Sequence, residues 1–277
     1  MNLYNLTMIT KSKTYETLAV SRDDDVAWVR FDRPEHRNTV TAQMAEEMYA
    51  ALGALADDDR LRLVVLTGQG RDFCPGADLD REPGEPAQVP AAEAFESAAL
   101  LAEMPQLTIA AVNGGCAGAG FSWAMACDLR VAVDRARFAT AFLDVGVAGE
   151  LGLAWMLTRH LGSARARDLL LLPGKLTAAD LLDLGLVSRV YTESSWDADV
   201  AELVAGLVAR NPRALRDIKA NLLDAERLSL REYLEVETAR HLAQFEGSAA
   251  ETTFAAFASR NESLKTSAVR RSFGSPS

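Results

Sequence analysis

The sequence predicts an α/β core followed by an all-helical end. Short apolar segments typical of buried strands alternate with segments of helical periodicity as far as Ser195. Every later segment is helical by pattern. Strands that alternate with helices and then give way to helices alone indicate an α/β core with a helical appendix.

Composition excludes several classes of function. The 277 residues are 49% hydrophobic and 25% charged, which suits one large globular domain or two small ones. The net charge of −10 argues against nucleic acid or an anionic membrane as a partner, although a local patch can still bind a polyanionic cofactor. No apolar run reaches the length of a membrane span. We therefore expect no nucleic acid and no membrane among the partners.

The cysteines and histidines bear on metal binding and on the cellular compartment. The three cysteines lack metal-ligand spacing and there are only three histidines, so we expect no metal site. An odd cysteine count without a signal peptide suggests a reducing compartment, and we expect a cytoplasmic location.

The first elements are two strands and a helix. Tyr15–Val20 and Val26–Phe31 are predicted as strands joined by the charged turn 21–25. Thr41 is typical of an N-cap for a helix through Ala56. The residues at helical spacing that should face the core are Met44, Met48, Leu52 and Leu55.

The middle of the chain continues the alternation. In order, we predict a strand at Leu63–Thr67, a surface loop at Asp80–Pro90, a helix at Ala91–Glu103, strands at Thr108–Val112 and Leu129–Val133, a loop-rich segment at Phe138–Glu150, and helices at Leu151–Leu161 and Arg165–Leu172. Thr177 and Asp180 form a capping-box pattern for a helix over Ala178–Leu184, with Gly185 as its stop. Val187–Tyr191 is predicted as the last strand.

The chain is thus divided into four regions. We expect a flexible N-terminal extension over 1–14, a core over 15–195, a helical region over 196–264 and a disordered basic tail over 265–277. The predicted C-terminal helices are Trp196–Arg210, Pro212–Leu223, Leu230–Phe245 and Ala249–Ser259.

The most informative stretch is Asn113–Asp128. The Thr108–Val112 strand leads into five small residues, 116–120, and then into an apolar helix from Phe121 to Cys127. A tight glycine turn between a strand and a helix start leaves backbone N–H groups unpaired, and these can hold an anion or a developing oxyanion. Alternatively, the glycines only let the helix pack closely on the sheet.

A second stretch favours the first interpretation. The Leu63–Thr67 strand is followed by a glycine-bearing loop that ends in Gly76-Ala77-Asp78. Two such loops at neighbouring strand ends can each offer one N–H to a single carbonyl oxygen.

With these motifs in fixed order, the sequence resembles the crotonase family, also called the enoyl-CoA hydratase/isomerase family, over roughly residues 15–260. The matching segments are Phe31–Pro34 with Asn38, Val64–Gly68, Phe73–Asp78, Ala110–Gly114, Cys127-Asp128, Ala166–Leu172 and Leu184–Val190. The resemblance implies a spiral core of ββα turns and C-terminal helices that form a homotrimer, often paired into a homohexamer. It also implies an acyl-CoA thioester substrate and no separate cofactor, because coenzyme A is part of the substrate.

The resemblance further implies an oxyanion hole. Matched position by position, its two backbone N–H donors fall on Ala77 and Ala119. They would stabilise the enolate that forms when a base removes a proton next to the thioester, and losing one such donor costs about 3–4 kcal/mol. The family usually has glycine where Ala119 stands, but alanine keeps the N–H group.

The match fails at the two glutamates that the family's hydratases use on water. These positions fall on Ser122 and Phe142, which we assign to the substrate pocket wall. Neither residue can deprotonate water or return a proton, so the sequence argues against ordinary hydratase activity.

One carboxylate remains close in sequence to these positions, that of Glu150. In the family, acidic residues at this or related positions serve double-bond isomerases, a ring-opening isomerase, and a dehalogenase in which the carboxylate is a nucleophile. If apolar neighbours such as Phe142, Leu151, Leu153 and Trp155 surround Glu150, its pKa should rise toward neutrality. Alternatively, Glu150 only caps the following helix.

Coenzyme A binding is assigned to Arg37, Asp78 and Leu79, which flank the matched loops. Arg33 and Arg81 are further candidates for the phosphates, and Asp78 can instead cap the following turn. The sequence therefore predicts an enoyl-CoA isomerase that uses Glu150. The alternatives are a specialised hydratase or C–C hydrolase with the same oxyanion hole, and a non-catalytic acyl-CoA binder.

Overall fold

The computed structural model describes residues 15–79 and 88–245. The predicted N-terminal extension, most of the Asp80–Pro90 loop, the Ala249–Ser259 helix and the C-terminal tail lie outside the described residues. The chain divides into two compact units, residues 1–212 and 213–277.

A six-stranded sheet forms the centre of the first unit. Its spatial order is β1-β2-β3-β4-β6-β9, in which β1 and β2 are antiparallel and the other neighbours are parallel. The strands are β1 (Leu18–Asp23), β2 (Val26–Phe31), β3 (Leu63–Gly68), β4 (Leu107–Val112), β6 (Leu129–Val133) and β9 (Arg189–Tyr191).

A second, three-stranded sheet lies beside the ends of these strands. Its order is β5 (Gly115–Ala117), β7 (Arg137–Ala139) and β8 (Leu176–Thr177). Two residues separate β4 from β5, and three separate β6 from β7. The chain therefore leaves the large sheet and adds a strand to the small sheet, and it does so twice in succession.

The helices complete both units. They are α1 (Ala42–Ala56), α2 (Ser97–Glu103), α3 (Ala119–Ala126), α4 (Leu153–Leu171), α5 (Ala178–Asp183), α6 (Trp196–Val208), α7 (Pro212–Ala225) and α8 (Leu230–Ala243). Short 3-10 turns occupy Pro34–His36, Ala92–Glu96 and Leu143–Val145. Within α4, Gly162 has non-helical angles (φ 75°, ψ 161°), so α4 is two helical segments joined at a kink, near the break that the sequence predicts.

The large sheet is buried on both faces, which explains its continuous apolar strands. Along β3, Val64 and Leu66 join the main core with α1 and α3, whereas Leu63 and Val65 pack on the opposite face. That second face is covered by α6. The sequence analysis groups α6 with the C-terminal helical region, but its buried valines pack on the sheet and place it in the first unit.

Several element boundaries follow local signals in the sequence. The Thr41 hydroxyl accepts a hydrogen bond from the Met44 N–H at 3.1 Å, which confirms it as the N-cap of α1. The capping box of Thr177 and Asp180 is present at α5, and Gly185 adopts a left-handed conformation (φ 72°) after it.

Other boundaries differ from the prediction. β1 extends to Asp23 because it pairs with β2 up to the position opposite Val26, so the turn is two residues long and not five. β5 and β7 fall in segments without a predicted strand, since three-residue strands show no periodicity.

The described part of the second unit consists of α7 and α8. Polar side chains connect the two helices: Arg240 Nη1 donates to Asn221 Oδ1 at 2.7 Å, and Gln244 Nε2 donates to Asp217 Oδ2 at 2.9 Å. Among residues 15–79 and 88–245, no helix combines the length and apolar character that a membrane crossing needs.

Candidate active site

Two glycine turns, one in the loop after β3 and one directly after β5, lie against each other. A Cβ atom built on Gly118 would lie 3.5 Å from Gly76 Cα, and one built on Gly76 would lie 3.3 Å from Ala117 O. Both glycines have positive φ angles, 104° at Gly76 and 51° at Gly118. Glycine adopts these positive φ angles without strain, and at Gly76 it also avoids the tight 3.3 Å contact that a Cβ would make with Ala117 O.

The Ala77 N–H group follows the first of these glycines. Val40 forms a parallel bridge to this segment through its neighbours, since Val40 N–H donates to Gly76 O at 2.9 Å and Asp78 N–H donates to Val40 O at 2.8 Å. In a parallel bridge of this pattern, the central residue directs its own N–H away from the partner. The Ala77 N–H is thus outside the bridge, and Ala77 is exposed.

The Ala119 N–H group follows the second glycine. Ala119 is the first residue of α3, where a backbone N–H has no acceptor within the helix. The Ser122 N–H is the one that bonds to Gly118 O, at 3.0 Å. Both residues that the sequence assigns to the oxyanion hole therefore stand directly after glycines that touch each other.

The Cys74 sulfur links the two turns from inside. It accepts hydrogen bonds from the backbone N–H groups of Gly76 and Gly120, one from each turn. Burial raises the pKa of the Cys74 thiol to about 12, and the nearby Glu150 carboxylate contributes in the same direction. Cys74 is therefore a neutral packing group here and not a nucleophile.

Ser122 is fully buried one turn into α3. Its Oγ lies 3.1 Å from Gly118 O and 3.2 Å from Glu150 O, so the hydroxyl can donate to either carbonyl. The sequence analysis places Ser122 in the wall of the substrate pocket. In the structure its hydroxyl is directed at these two backbone carbonyls, and the assignment to the pocket stays a prediction.

Phe142 is also buried, at 5% exposure. Its ring lies 3.9 Å from a Cβ built on Gly118 and 3.6 Å from one built on Gly149. The ring thus packs between the residue before Ala119 and the residue before Glu150. The neighbouring Ala141 has a positive φ of 59°, which is uncommon for a residue with a Cβ.

Glu150 lies on the loop between Phe142 and α4 and is partly buried. Burial raises the pKa of its carboxyl group, as predicted from its apolar surroundings. Glu150 does not cap α4, because the N-cap is Gly152 and that position has no side-chain hydrogen bond. The capping alternative is therefore wrong.

One of the predicted apolar neighbours is misplaced. Leu151 and Leu153 are buried near Glu150, but Trp155 is 55% exposed and the Arg159 guanidinium lies 3.6 Å from its ring centroid. The helical repeat of α4 accounts for the difference, because Leu153, Met156 and Leu157 form its buried face.

The residues assigned to coenzyme A lie next to the first glycine turn, since Asp78 and Leu79 follow Ala77 and Arg37 precedes Val40, which bridges to Ala77. Arg37 is exposed and pairs with Asp72 at 2.9 Å, and Leu79 is 58% exposed. Asp78 Oδ2 accepts a hydrogen bond from Arg33 Nη1 at 3.0 Å, and the turn that it is predicted to cap lies outside the described residues. Arg81 lies outside the described residues.

Two polar residues that the sequence analysis does not assign to the site hold these loops. Asn38 is fully buried, and its Nδ2 donates to Gln69 O and Asp72 O at 2.9 and 2.8 Å. Burial opposes ionisation of Asp72, but hydrogen bonds from Arg37 and the Gly115 N–H keep its pKa below the usual value. Asn38 belongs to a family motif, which could have identified it from the sequence. No sequence motif identifies Asp72.

We also searched the described residues for side chains that could bind a metal ion. Among the residues that the structure describes, no three His, Cys, Asp or Glu side chains cluster as metal ligands would.

The fold and the paired glycine turns define an α/β protein of the crotonase type. A sequence profile of the enoyl-CoA hydratase/isomerase family matches residues 21–265. The chain belongs to the enoyl-CoA hydratase/isomerase family, which confirms the resemblance inferred from its motifs.

Relatives with different chemistries share this family. The chain is 35% identical over 199 residues to 4-chlorobenzoyl coenzyme A dehalogenase-2 of Arthrobacter sp., covering 69% of this chain and 72% of that protein. It is 33% identical over 216 residues to 1,2-epoxyphenylacetyl-CoA isomerase of Escherichia coli K12, covering 73% and 82%.

A solved structure from the same family superposes closely. A Thermobifida fusca YX protein assigned as an enoyl-CoA hydratase, crystallised in complex with CoA, gives a TM-score of 0.78 at 32% identity. The superposition covers 85% of this chain and 97% of that protein. The predicted fold class is thereby confirmed.

Proposed function

We propose that this enzyme shifts the double bond of an enoyl-CoA thioester, with Glu150 as the acid/base and the Ala77 and Ala119 amides as the oxyanion hole. The observation that carries the proposal is the partly buried carboxyl group of Glu150, whose pKa is raised. Its loop contacts the segment around Gly118 and Ala119, which we call the oxyanion turn. A glutamate with a raised pKa is a stronger base than an exposed one and can return the proton that it removes.

The reaction needs one base and one anion site. The thioester oxygen accepts hydrogen bonds from the two amides, which stabilise the dienolate that forms when Glu150 removes a proton from C2. The same carboxylic acid then returns that proton to C4, which moves the double bond from the 3,4 to the 2,3 position. Because the proton leaves one carbon and returns to another, the reaction is balanced without water or a redox partner.

Hydration fits the site less well. Ser122 and Phe142 occupy the positions of the two glutamates by which the family's hydratases activate water, and both are buried. Neither a serine bonded to backbone carbonyls nor a phenyl ring can deprotonate water. A specialised hydratase or C–C hydrolase would have to rely on Glu150 alone.

A second candidate is nucleophilic displacement on an aryl-CoA, with Glu150 as the nucleophile. The observation in its favour is the 35% identity to a 4-chlorobenzoyl coenzyme A dehalogenase. Both reactions start from an ionised carboxylate, but only isomerisation also requires the group to hold and return a proton, which the raised pKa of Glu150 supports. The environment of Glu150 therefore favours proton transfer.

The remaining assignments concern the rest of the ligand and the assembly. Two relatives are named for CoA thioesters, and the Thermobifida fusca YX structure holds CoA, so both findings support an acyl-CoA ligand. Arg37 and Leu79 are exposed beside the first turn, where Arg37 offers a cation to the CoA phosphates. We further propose a homotrimer or homohexamer.

The test is conversion of a 3-enoyl-CoA to the conjugated 2-enoyl-CoA. We expect turnover by the wild type and a loss of about 10²- to 10⁴-fold in kcat for Glu150→Gln, which keeps the shape and removes the base. Asp144→Asn is a matched control, because Asp144 is an exposed acid on the same loop. This control should keep the wild-type rate.

Three results would count against the proposal. Equal turnover by the wild type and Glu150→Gln would remove Glu150 from the mechanism. Binding of the 3-enoyl-CoA without any turnover would favour the non-catalytic binder. Hydration of crotonyl-CoA at an ordinary hydratase rate would contradict the assignment of Ser122 and Phe142.

A further inference from the structure

We propose that Ser122 and Phe142 are positioning residues that hold the Glu150 loop at a set distance from the oxyanion turn. We call this pair the brace. The inference rests on the proposed function, because it names what aligns the proton-transfer group with the anion site. It also gives a task to the two positions where the hydratase glutamates are replaced.

The Ser122 hydroxyl is the polar half of the brace. Its Oγ is 3.1 Å from Gly118 O, in the turn before Ala119, and 3.2 Å from Glu150 O, which is 28 residues away in the chain. The hydroxyl carries one proton, so it donates to one carbonyl at a time. Its complete burial leaves water no part in this exchange.

The peptide carbonyl of Glu150 is held from a second side. Glu150 O also accepts the Leu153 N–H at 3.3 Å, in the first turn of α4. The backbone that carries the Glu150 side chain is therefore bonded to Leu153 in α4 and lies within hydrogen-bond distance of Ser122 in α3. Loss of the Ser122 hydroxyl would leave only the longer of these two bonds.

The Phe142 ring is the apolar half of the brace. It packs against Gly118 on one side and Gly149 on the other, so it spans the gap between the two segments. Both glycines have positive φ angles, 51° and 121°, and lack a Cβ that would push the ring away. Ring packing and the Ser122 hydrogen bond thus act on the same two loops.

The brace predicts a selective effect on kcat, which distinguishes it from residues that only stabilise the fold. Groups that position a base affect the chemical step, and a displacement of about 1 Å can cost about 100-fold in rate. The Ser122 hydroxyl bonds to backbone carbonyls and is not among the groups assigned to coenzyme A, so Ser122→Ala should change substrate binding little. A residue that only stabilises the fold would lower the melting temperature without this selective effect on kcat.

The test compares Ser122→Ala with Ser97→Ala. Ser97 is an equally buried serine whose Oγ donates to Ala94 O at 2.7 Å and accepts the Trp123 Nε1–H at 2.9 Å, so it controls for loss of a buried hydroxyl. We expect Ser122→Ala to lower kcat on a 3-enoyl-CoA by about 10- to 100-fold, with KM within about twofold. Ser97→Ala should leave kcat near the wild-type value.

Hydrogen exchange supplies a readout that needs no activity. In Ser122→Ala, amide exchange across residues 149–153 should become faster than in the wild type and in Ser97→Ala. Phe142→Leu, which shortens the apolar half, should show the same two effects if Ser122→Ala does not fold.

The outcomes separate the two proposals. If the wild type converts no enoyl-CoA, the proposed function fails, while the exchange rates still test the brace. If the wild type is active but Ser122→Ala and Phe142→Leu match Ser97→Ala in both kcat and exchange, the brace is overturned.

Discussion

At the scale of single residues, the account depends on the surroundings of one carboxyl group. Glu150 is partly buried beside Leu151 and Leu153, and its side chain makes no capping bond to α4. A carboxylate in such a place loses hydration, which favours its protonated form. A glutamate whose pKa lies above its ordinary value is suited to act first as the base and then as the acid.

The pH dependence of the reaction should report this group. Glu150 must be ionised to remove a proton, so activity rises as pH increases through its pKa. Since burial raises that pKa above the ordinary 4.5, the acid limb of kcat/KM should lie at a higher pH than for an exposed glutamate. The measurement is kcat/KM for a 3-enoyl-CoA against pH, and an acid limb at or below 4.5 would contradict it.

The same group should cost stability when it is ionised. A raised pKa in the folded state means that folding favours the protonated form, so this stabilisation is present at low pH and is lost as pH rises through the folded-state pKa. Glu150→Gln should therefore have a higher melting temperature than the wild type at about pH 8. The difference should shrink toward pH 4.5, and a lower melting temperature of Glu150→Gln in the alkaline range would contradict this reasoning.

Residue environments were predictable where they depend on near neighbours. Partial burial of Glu150 followed from the apolar residues beside it in the chain. The exposure of Trp155 and the pairing of Asp78 with Arg33 did not, because one depends on which face of α4 is covered and the other joins residues 45 apart. Neither relation leaves a local pattern in the sequence.

At the scale of elements, the site is made by two turns that depend on glycine. Gly118 has φ 51° and ψ −122°, a combination that residues with a Cβ rarely adopt, and it leads directly into the first N–H of α3. The glycine turn and the helix start together leave the Ala119 N–H available.

Gly118→Ala should therefore damage both stability and activity. A Cβ there would meet only ordinary contacts, 3.5 Å or more, so the cost is that of the backbone conformation, about 1–3 kcal/mol of unfolding free energy. Relaxation of the turn should move the Ala119 N–H and lower kcat. Chemical denaturation and the 3-enoyl-CoA assay measure the two effects.

Gly53→Ala is the matched control for that variant. Gly53 lies within α1, and a Cβ added there would have no neighbouring atom within 4 Å, so alanine should stabilise the protein by about 0.5–1 kcal/mol and leave kcat unchanged. If Gly118→Ala behaved like Gly53→Ala, the conformation of the Gly118 turn would not matter to the site.

Elements were predictable where a side chain marks their ends. Thr41 before α1 and the Thr177–Asp180 capping box before α5 identified those starts from the sequence alone. The strands β5 and β7 were missed because three residues are too few for a period. They exist through backbone pairing with each other, which only the folded chain brings about.

At the scale of the whole molecule, the helices α7 and α8 carry exposed aliphatic side chains. Ile218, Leu222, Leu230, Leu234 and Leu242 are each more than a third exposed in the single chain. Exposed apolar groups of this kind are typical of surfaces that bind a partner. They support the proposed assembly into a homotrimer or homohexamer.

Light scattering tests that assembly directly. We expect a mass of three or six times the 29.9-kDa chain, because association would bury these aliphatic groups. Leu222→Asp combined with Leu234→Asp should reduce the mass by placing charges in the contact. A wild type that remains a single chain at micromolar concentration would contradict the proposal.

The overall topology was only partly accessible from the sequence. Alternating strands and helices indicated an α/β core, but periodicity does not reveal which strands pair. The order of the large sheet, with β9 beside β6 and the small sheet formed by β5, β7 and β8, depends on contacts between distant segments. The resemblance to a known family, and not the periodicity, supplied the spiral.

The most direct test of the central claim is a crystal structure of Glu150→Gln with a bound 3-enoyl-CoA. We expect the thioester oxygen about 2.7–3.1 Å from the amide nitrogens of both Ala77 and Ala119. The side chain at position 150 should lie about 3–3.5 Å from C2 and C4. A thioester oxygen that contacts neither amide, or a side chain at 150 that faces solvent away from both carbons, would contradict the account.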